Sequence, residues 1–133
     1  MIPLFLWAAL LMTQATDVTD RALRSTLLDE ARAPVVTELG KPVLFRVHNL
    51  KRHGEWAFLH ADMEDRDGRP VSYAGTARAE AAQRGFMSRS YAALLRRDER
   101  GWSVVAHAIG PTDLAWEGWS STYGAPPELF AAQ

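Results

Sequence analysis

The sequence predicts an α+β domain, and three observations carry that expectation. Apolar residues recur at three- and four-residue spacing between positions 17 and 39, which draws one helix face. Apolar and polar residues then alternate with period two through 41–50 and again through 55–63, as half-buried strands do. A further strand pair, Tyr91 to Ile109, turns back at Asp98-Glu99-Arg100-Gly101. One helix followed by three to four antiparallel strands is an α+β order.

The helix is expected over 17–39, capped by Asp17 or Thr19, whose short side-chain oxygens satisfy first-turn amides. Ala22, Leu23, Leu27, Leu28 and Ala31 form its stripe, continued by Val35, Val36 and Leu39. Pro34 lacks an amide hydrogen and predicts a kink or break, and Gly40 is a natural left-handed stop. In the first strand Val43, Phe45 and Val47 point one way, and Leu44, Arg46 and His48 the other. The helix stripe is expected across the face bearing Val43, Phe45 and Val47.

A polar turn over 49–54 leads to the second strand. It carries Trp56, Phe58 and His60 on one face and Ala57, Leu59, Ala61 and Met63 on the other. Both faces hold apolar groups, so this strand is predicted to be central. Residues 64–69 read as a charged loop, 71–74 as a short strand and 76–84 as a short helix or a mobile insertion. Strands over 86–97 and 102–109 follow. Gly110-Pro111 ends the sheet, and Thr112 or Asp113 is expected to cap a short C-terminal helix carrying Leu114, Trp116 and Trp119.

Length and composition bound the rest. A chain of 133 residues is the size of one domain and buries enough surface for a core of its own. It contains no cysteine, which excludes a disulfide framework, thiol catalysis and thiolate-bound zinc. Fifteen basic residues against sixteen acidic ones give a net charge of −1, which disfavours nucleic acid as a partner.

The run Ile2 to Met12 is wholly apolar, and the first charged side chain is Asp17. Eleven apolar residues fall short of the roughly 20 that span a bilayer as a helix, but they match the core of an export signal. Thr13 and Ala15 stand where signal peptidase needs small side chains, so residues 1–15 read as a signal peptide and 16–133 as one domain. The expected location is periplasmic or secreted. No Lys or Arg precedes the apolar run, so an uncleaved anchor or a buried N-terminal element are the other readings, and no stable membrane helix is expected unless the segment stays uncleaved.

The order of elements resembles the cystatin-like and nuclear-transport-factor-like cone folds, in which a helix packs on a curved antiparallel sheet. Four stretches look more narrowly like small exported proteobacterial proteins of unknown function. They are Lys41-Pro42-Val43 to Trp56-Ala57-Phe58, Leu94-Leu95-Arg96-Arg97, Trp102-Ser103-Val104-Val105 and Ile109-Gly110-Pro111-Thr112-Asp113. The resemblance implies a compartment and a fold, and no chemistry. The Gln-Val-x-Gly-type loop of inhibitory cystatins is missing, so protease inhibition does not carry over.

Candidate residues fall in three groups. His48, His60 and His107 could meet on neighbouring strands as a three-histidine zinc site, but no close-spaced ligand motif supports it and no metal or cofactor is expected. Asp62 and His60, with Tyr73 or Tyr91, could run proton transfer in a cone-fold pocket if burial raised the Asp62 pKa. No nucleophile elbow, P-loop or dinucleotide fingerprint is present. Asp113, Trp116, Trp119 and Tyr123, with Trp56, concentrate aromatic area with polar tips, which suits a binding surface. The leading expectation is a small exported binding or accessory domain that holds an unknown protein or a small apolar ligand. A cone-fold isomerase or hydrolase and a membrane-tethered structural protein are the alternatives.

Overall fold

The computed structural model of the protein describes residues 14–131. Their sheet is antiparallel, five-stranded and ordered β1-β2-β3-β4-β5, from β1 (Thr16–Asp17), β2 (Leu44–His53), β3 (Trp56–Glu64), β4 (Ser90–Asp98) and β5 (Gly101–Ile109). Three helices accompany it, α1 (Arg21–Leu39), α2 (Ala79–Gln83) and α3 (Trp119–Tyr123), with a 3-10 turn at Pro127–Phe130. The class is α+β, with five strands rather than three to four. The fifth is β1, a two-residue strand within the stretch expected to open the helix.

Asp20, not Asp17 or Thr19, caps α1, its carboxylate accepting the Leu23 amide at 2.8 Å. Asp17 cannot serve, because pairing with Lys51 holds it extended in β1. The expected break at Pro34 does not occur, and α1 runs through it for 19 residues. Packing of Leu27, Ala31, Val35 and Leu39, all buried, outweighs the one hydrogen bond that proline removes. Gly40 ends the helix as expected, at φ 70° with its amide on the Val36 carbonyl.

β3 is central, and its alternation divides the interior in two. Ala57, Leu59, Ala61 and Met63 join Leu27, Ala31, Val35, Tyr91 and Leu95 in a first core beneath α1. Phe58 joins Ala92, Leu94, Ala106, Trp116, Ala125 and Leu129 in a second core on the opposite face, covered by the chain after Gly110. Two bulges set which residues reach which core. One lies between Val47 and Asn49, so that Leu50 continues the buried face and His48 turns to the other side. The other, opposite Leu94 and Leu95, leaves Val104 packing on the first core and Ala106 in the second. The hairpin closes as predicted, with a two-residue turn at Glu99-Arg100 between the paired Asp98 and Gly101.

The segment 71–74 is not a strand. It follows a single bridge of Glu64 with Pro70 and one bond from the Val71 amide to the Met63 carbonyl. The polar turn after the first strand is also shorter than expected, because β2 pairs with β3 as far as His53. No helix of the described residues is long and apolar enough to cross a membrane. The expected export segment lies outside the described residues except for Gln14 and Ala15, and Ala15 packs half-buried on the second core.

Candidate functional site

The second sheet face brings four polar side chains together beside its core. Asp62 on β3 accepts Arg46 Nη2 at 2.7 Å and His48 Nε2 at 3.0 Å, both from β2. The His48 and His60 rings lie 5.2 Å apart, and His60 lies 4.9 Å from the Trp116 ring. Burial alone pushes the Asp62 carboxyl up, but the bonds from Arg46 and His48 outweigh it and hold the group below its ordinary range. Burial lowers the His60 pKa, and the nearby His48 charge lowers it further, against a smaller upward pull from Asp62. The arrangement is an ionised carboxylate clamped by two donors, not an acid poised to move protons.

The proposed catalytic constellation is not assembled. Asp62 and His60 face the second core side, whereas Tyr73 and Tyr91 belong to the first core, across the sheet. Register explains this, since Tyr91 pairs with Ala61 and so shares its face, one residue away from Asp62. The three-histidine set separates for the same reason. His107 lies on the first face, with its Nε2 3.1 Å from Glu38 Oε1 on α1 and its ring 6.2 Å from Tyr91. Among the described residues no group of three or more His, Asp or Glu could hold a metal ion.

Glu38 also accepts Arg78 Nη2 at 2.6 Å, which ties the 65–89 segment to the end of α1. Burial raises the Glu38 pKa, but His107 and Arg78 together hold it below its ordinary value. Behind this trio the Tyr91 hydroxyl is buried without a hydrogen-bond partner. Burial first, and the Glu38 charge second, push that hydroxyl's pKa well up, so it stays protonated.

The aromatic C-terminal residues divide between core and surface. Trp116 is only 6% exposed and packs at 5.7 Å from the Phe58 ring, with Trp119 half-buried at 6.3 Å and edge-on to the same ring. Trp56 is half-buried beneath the Arg96 guanidinium, 5.0 Å away. Tyr123 and Asp113 are exposed. Asp113 caps no helix, because 114–119 turns through bonds from Glu117 to Leu114 and from Trp119 to Trp116 before α3 begins at Trp119. Both tryptophans reach Phe58 from this turn rather than from one helix face.

Sequence reasoning missed one concavity. A groove of about 700 Å³ opens between the C-terminal half of α1 and the start of β2. Its floor is apolar, with Val36 37% and Leu44 44% exposed beside Pro42 and Val43, and its rim carries Arg32, Lys41 and Arg66. Lys41 is paired with Asp65 at 2.7 Å and Arg32 with Asp29 at 2.9 Å. A second groove of about 370 Å³ follows the same β2 edge, between Val47–Lys51 and Arg24 of α1. Searches with the chain matched no family model, no curated protein and no solved structure.

Proposed function

We propose that this chain is a small exported binding or accessory domain of the cell envelope, working without a cofactor. Its ligand is held in the groove between α1 and β2. The observation that carries this reading is the pairing of an apolar floor, Val36 to Leu44, with a cationic rim at Arg32, Lys41 and Arg66. Clefts of this kind fix a ligand by apolar burial and orient it by a few polar groups. Trp116 and Trp119 support the site indirectly, by packing the opposite sheet face. The apolar run Ile2 to Met12 supports export. The enzyme alternative loses support, because its carboxylate is clamped in an ion pair and its tyrosines lie across the sheet.

The test is site-specific photocrosslinking in cells expressing the chain from Met1. A crosslinker at Val36 should give a discrete adduct, whereas one at the exposed Glu117 should give none. Equal labelling at both positions, or none at Val36, overturns the binding site. Intact mass from a periplasmic extract checks the export half, with a chain starting at Thr16 expected.

A further inference from the structure

We infer that the occupant of this groove is an extended acidic peptide, bound as an added strand on the outer edge of β2. The inference rests on the binding reading above and names its partner chemistry. β2 pairs with β3 along its length, but on its outer side only Lys51 and Arg52 are paired, with β1. From Leu44 to His48 no strand of the described residues lies against it. β1 already shows the edge accepting an antiparallel strand, and Val18 extends that contact by donating its amide hydrogen to the Leu50 carbonyl. The bulge at His48 separates this occupied end from the open one, so a guest pairs with residues 44–47, where the register to β3 is regular.

A helix beside an open strand edge is a geometry that captures extended peptides, with main-chain bonds giving affinity and alternate side chains giving specificity. Here α1 presents Arg24, Arg32 and Val36 along that edge, and the two grooves flank the open stretch at its two ends. Alternate guest side chains that point inward, on the face that carries the half-buried Phe45 and Val47, meet these two and Val36 of α1, so they are apolar. The charge of the lining sets the rest. Its cations are Arg24, Arg32, Lys41, Lys51 and Arg66, and its carboxylate is Asp17, with Asp29 and Asp65 pairing Arg32 and Lys41 from beside the lining. In a chain of net charge −1 that still leaves a local excess of cations, and Arg66 enters no ion pair among the described residues. An apolar and acidic alternation is complementary to this edge, and a basic one is not.

Fluorescence anisotropy on the purified full chain tests this with four probes. They are a seven-residue Val/Glu alternating peptide, the same peptide N-methylated at alternate amides in either phase, a Val/Lys analogue, and dodecanoate as a simple apolar anion. The Val/Glu peptide is expected to bind, with affinity falling as salt rises. N-methylation in one phase should weaken it about tenfold, the loss of a pair of main-chain bonds. The Val/Lys peptide should bind at least about tenfold more weakly. Arg66→Glu, on an exposed rim residue, should narrow that preference several-fold without unfolding the chain. Equal binding of both N-methylated forms, or of Val/Lys and Val/Glu, overturns strand addition by an acidic peptide. Binding of dodecanoate alone overturns it too while leaving the groove as a ligand site. Silence from every probe, together with no adduct at Val36, removes both readings.

Discussion

The Tyr91 hydroxyl is the sharpest anomaly among the side chains. Its ring stacks on Phe45 at 5.3 Å in the first core, yet its oxygen is buried with no hydrogen-bond partner. A buried polar group left unpaired costs about 1–3 kcal/mol, so Tyr91→Phe should stabilise the protein, by about 1 kcal/mol in urea unfolding. A loss of similar size would mean that the hydroxyl is bonded in solution. His60 and Asp62 make a second residue-scale prediction, on pH. Both have folded-state pKa values below their ordinary ones, so each contributes stability above its unfolded pKa and loses it as the pH falls through the folded one. For His60 the loss starts below about 6.5, and for Asp62 below about 3.8, which gives two separate declines on acidification. Asp62→Asn should shrink the lower one without abolishing it, because Glu38 and Asp65 are held below their ordinary values too. It should also drop the His60 pKa further in an NMR titration, since the Asp62 charge pulls that value up. An unchanged or raised His60 pKa in the variant would refute the coupling.

Two glycines at element ends separate conformational strain from crowding. Gly40 has φ 70°, and a Cβ there would meet nothing within 4 Å, so Gly40→Ala pays only for the left-handed backbone, about 1–2 kcal/mol. Gly110 has φ 62°, but its Cβ would lie 2.5 Å from Met87 Cε, 2.7 Å from the Tyr73 hydroxyl and 2.8 Å from the Ser88 carbonyl. The last is backbone and cannot swing aside, so Gly110→Ala should cost roughly 3 kcal/mol or more. Equal losses in thermal or urea unfolding would mean that the Gly110 surroundings yield. The elements that were legible in the sequence are those fixed by local pattern. The stripe of α1, its stop at Gly40, the two faces of β3 and the Glu99-Arg100 turn each depend on residues close in the chain. The two bulges were not legible, because they depend on which strand lies alongside and therefore on partners far away. The candidate site divides the same way. Aromatic concentration at 116–123 was visible, but whether Trp116 ends in a core or a groove depends on Phe58, far away in sequence. The β2 groove left no composition signal, since its walls come from two elements whose residues read as ordinary surface.

One sheet separates two cores of unequal construction, and this shapes how the whole molecule should open. The first core is roofed by the 19-residue helix α1, whose capped ends and four buried residues tie it to β4 and β5. The second is roofed by turns, the five-residue α3 and a short 3-10 turn, held by Leu129, Ala125 and the rings around Phe58. Its polar ties are few, chiefly Ser120 Oγ to the Ala125 carbonyl at 2.6 Å and Lys51 Nζ to the Ala131 carbonyl at 3.2 Å. Regions with few backbone bonds open at lower free energy than the sheet they cover. Leu129 is fully buried and sits at the centre of that roof, so Leu129→Ala should cost about 2–4 kcal/mol. Native-state hydrogen exchange should place the loss in 114–130, while amides of α1, β3 and β4 keep most of their protection. The 44–47 stretch of β2 lies by α1 and the roof meets the lining at Lys51, so the variant should still bind the Val/Glu peptide within about twofold of the parent. Uniform loss of protection across the sheet would mean that the two cores melt as one unit. Loss of peptide binding with α1 intact would mean that the roof reaches the groove through β2. The separation of scaffold from site depends on the local outcome: a second core that stiffens the sheet from behind, and an open edge in front that is free to take a partner strand.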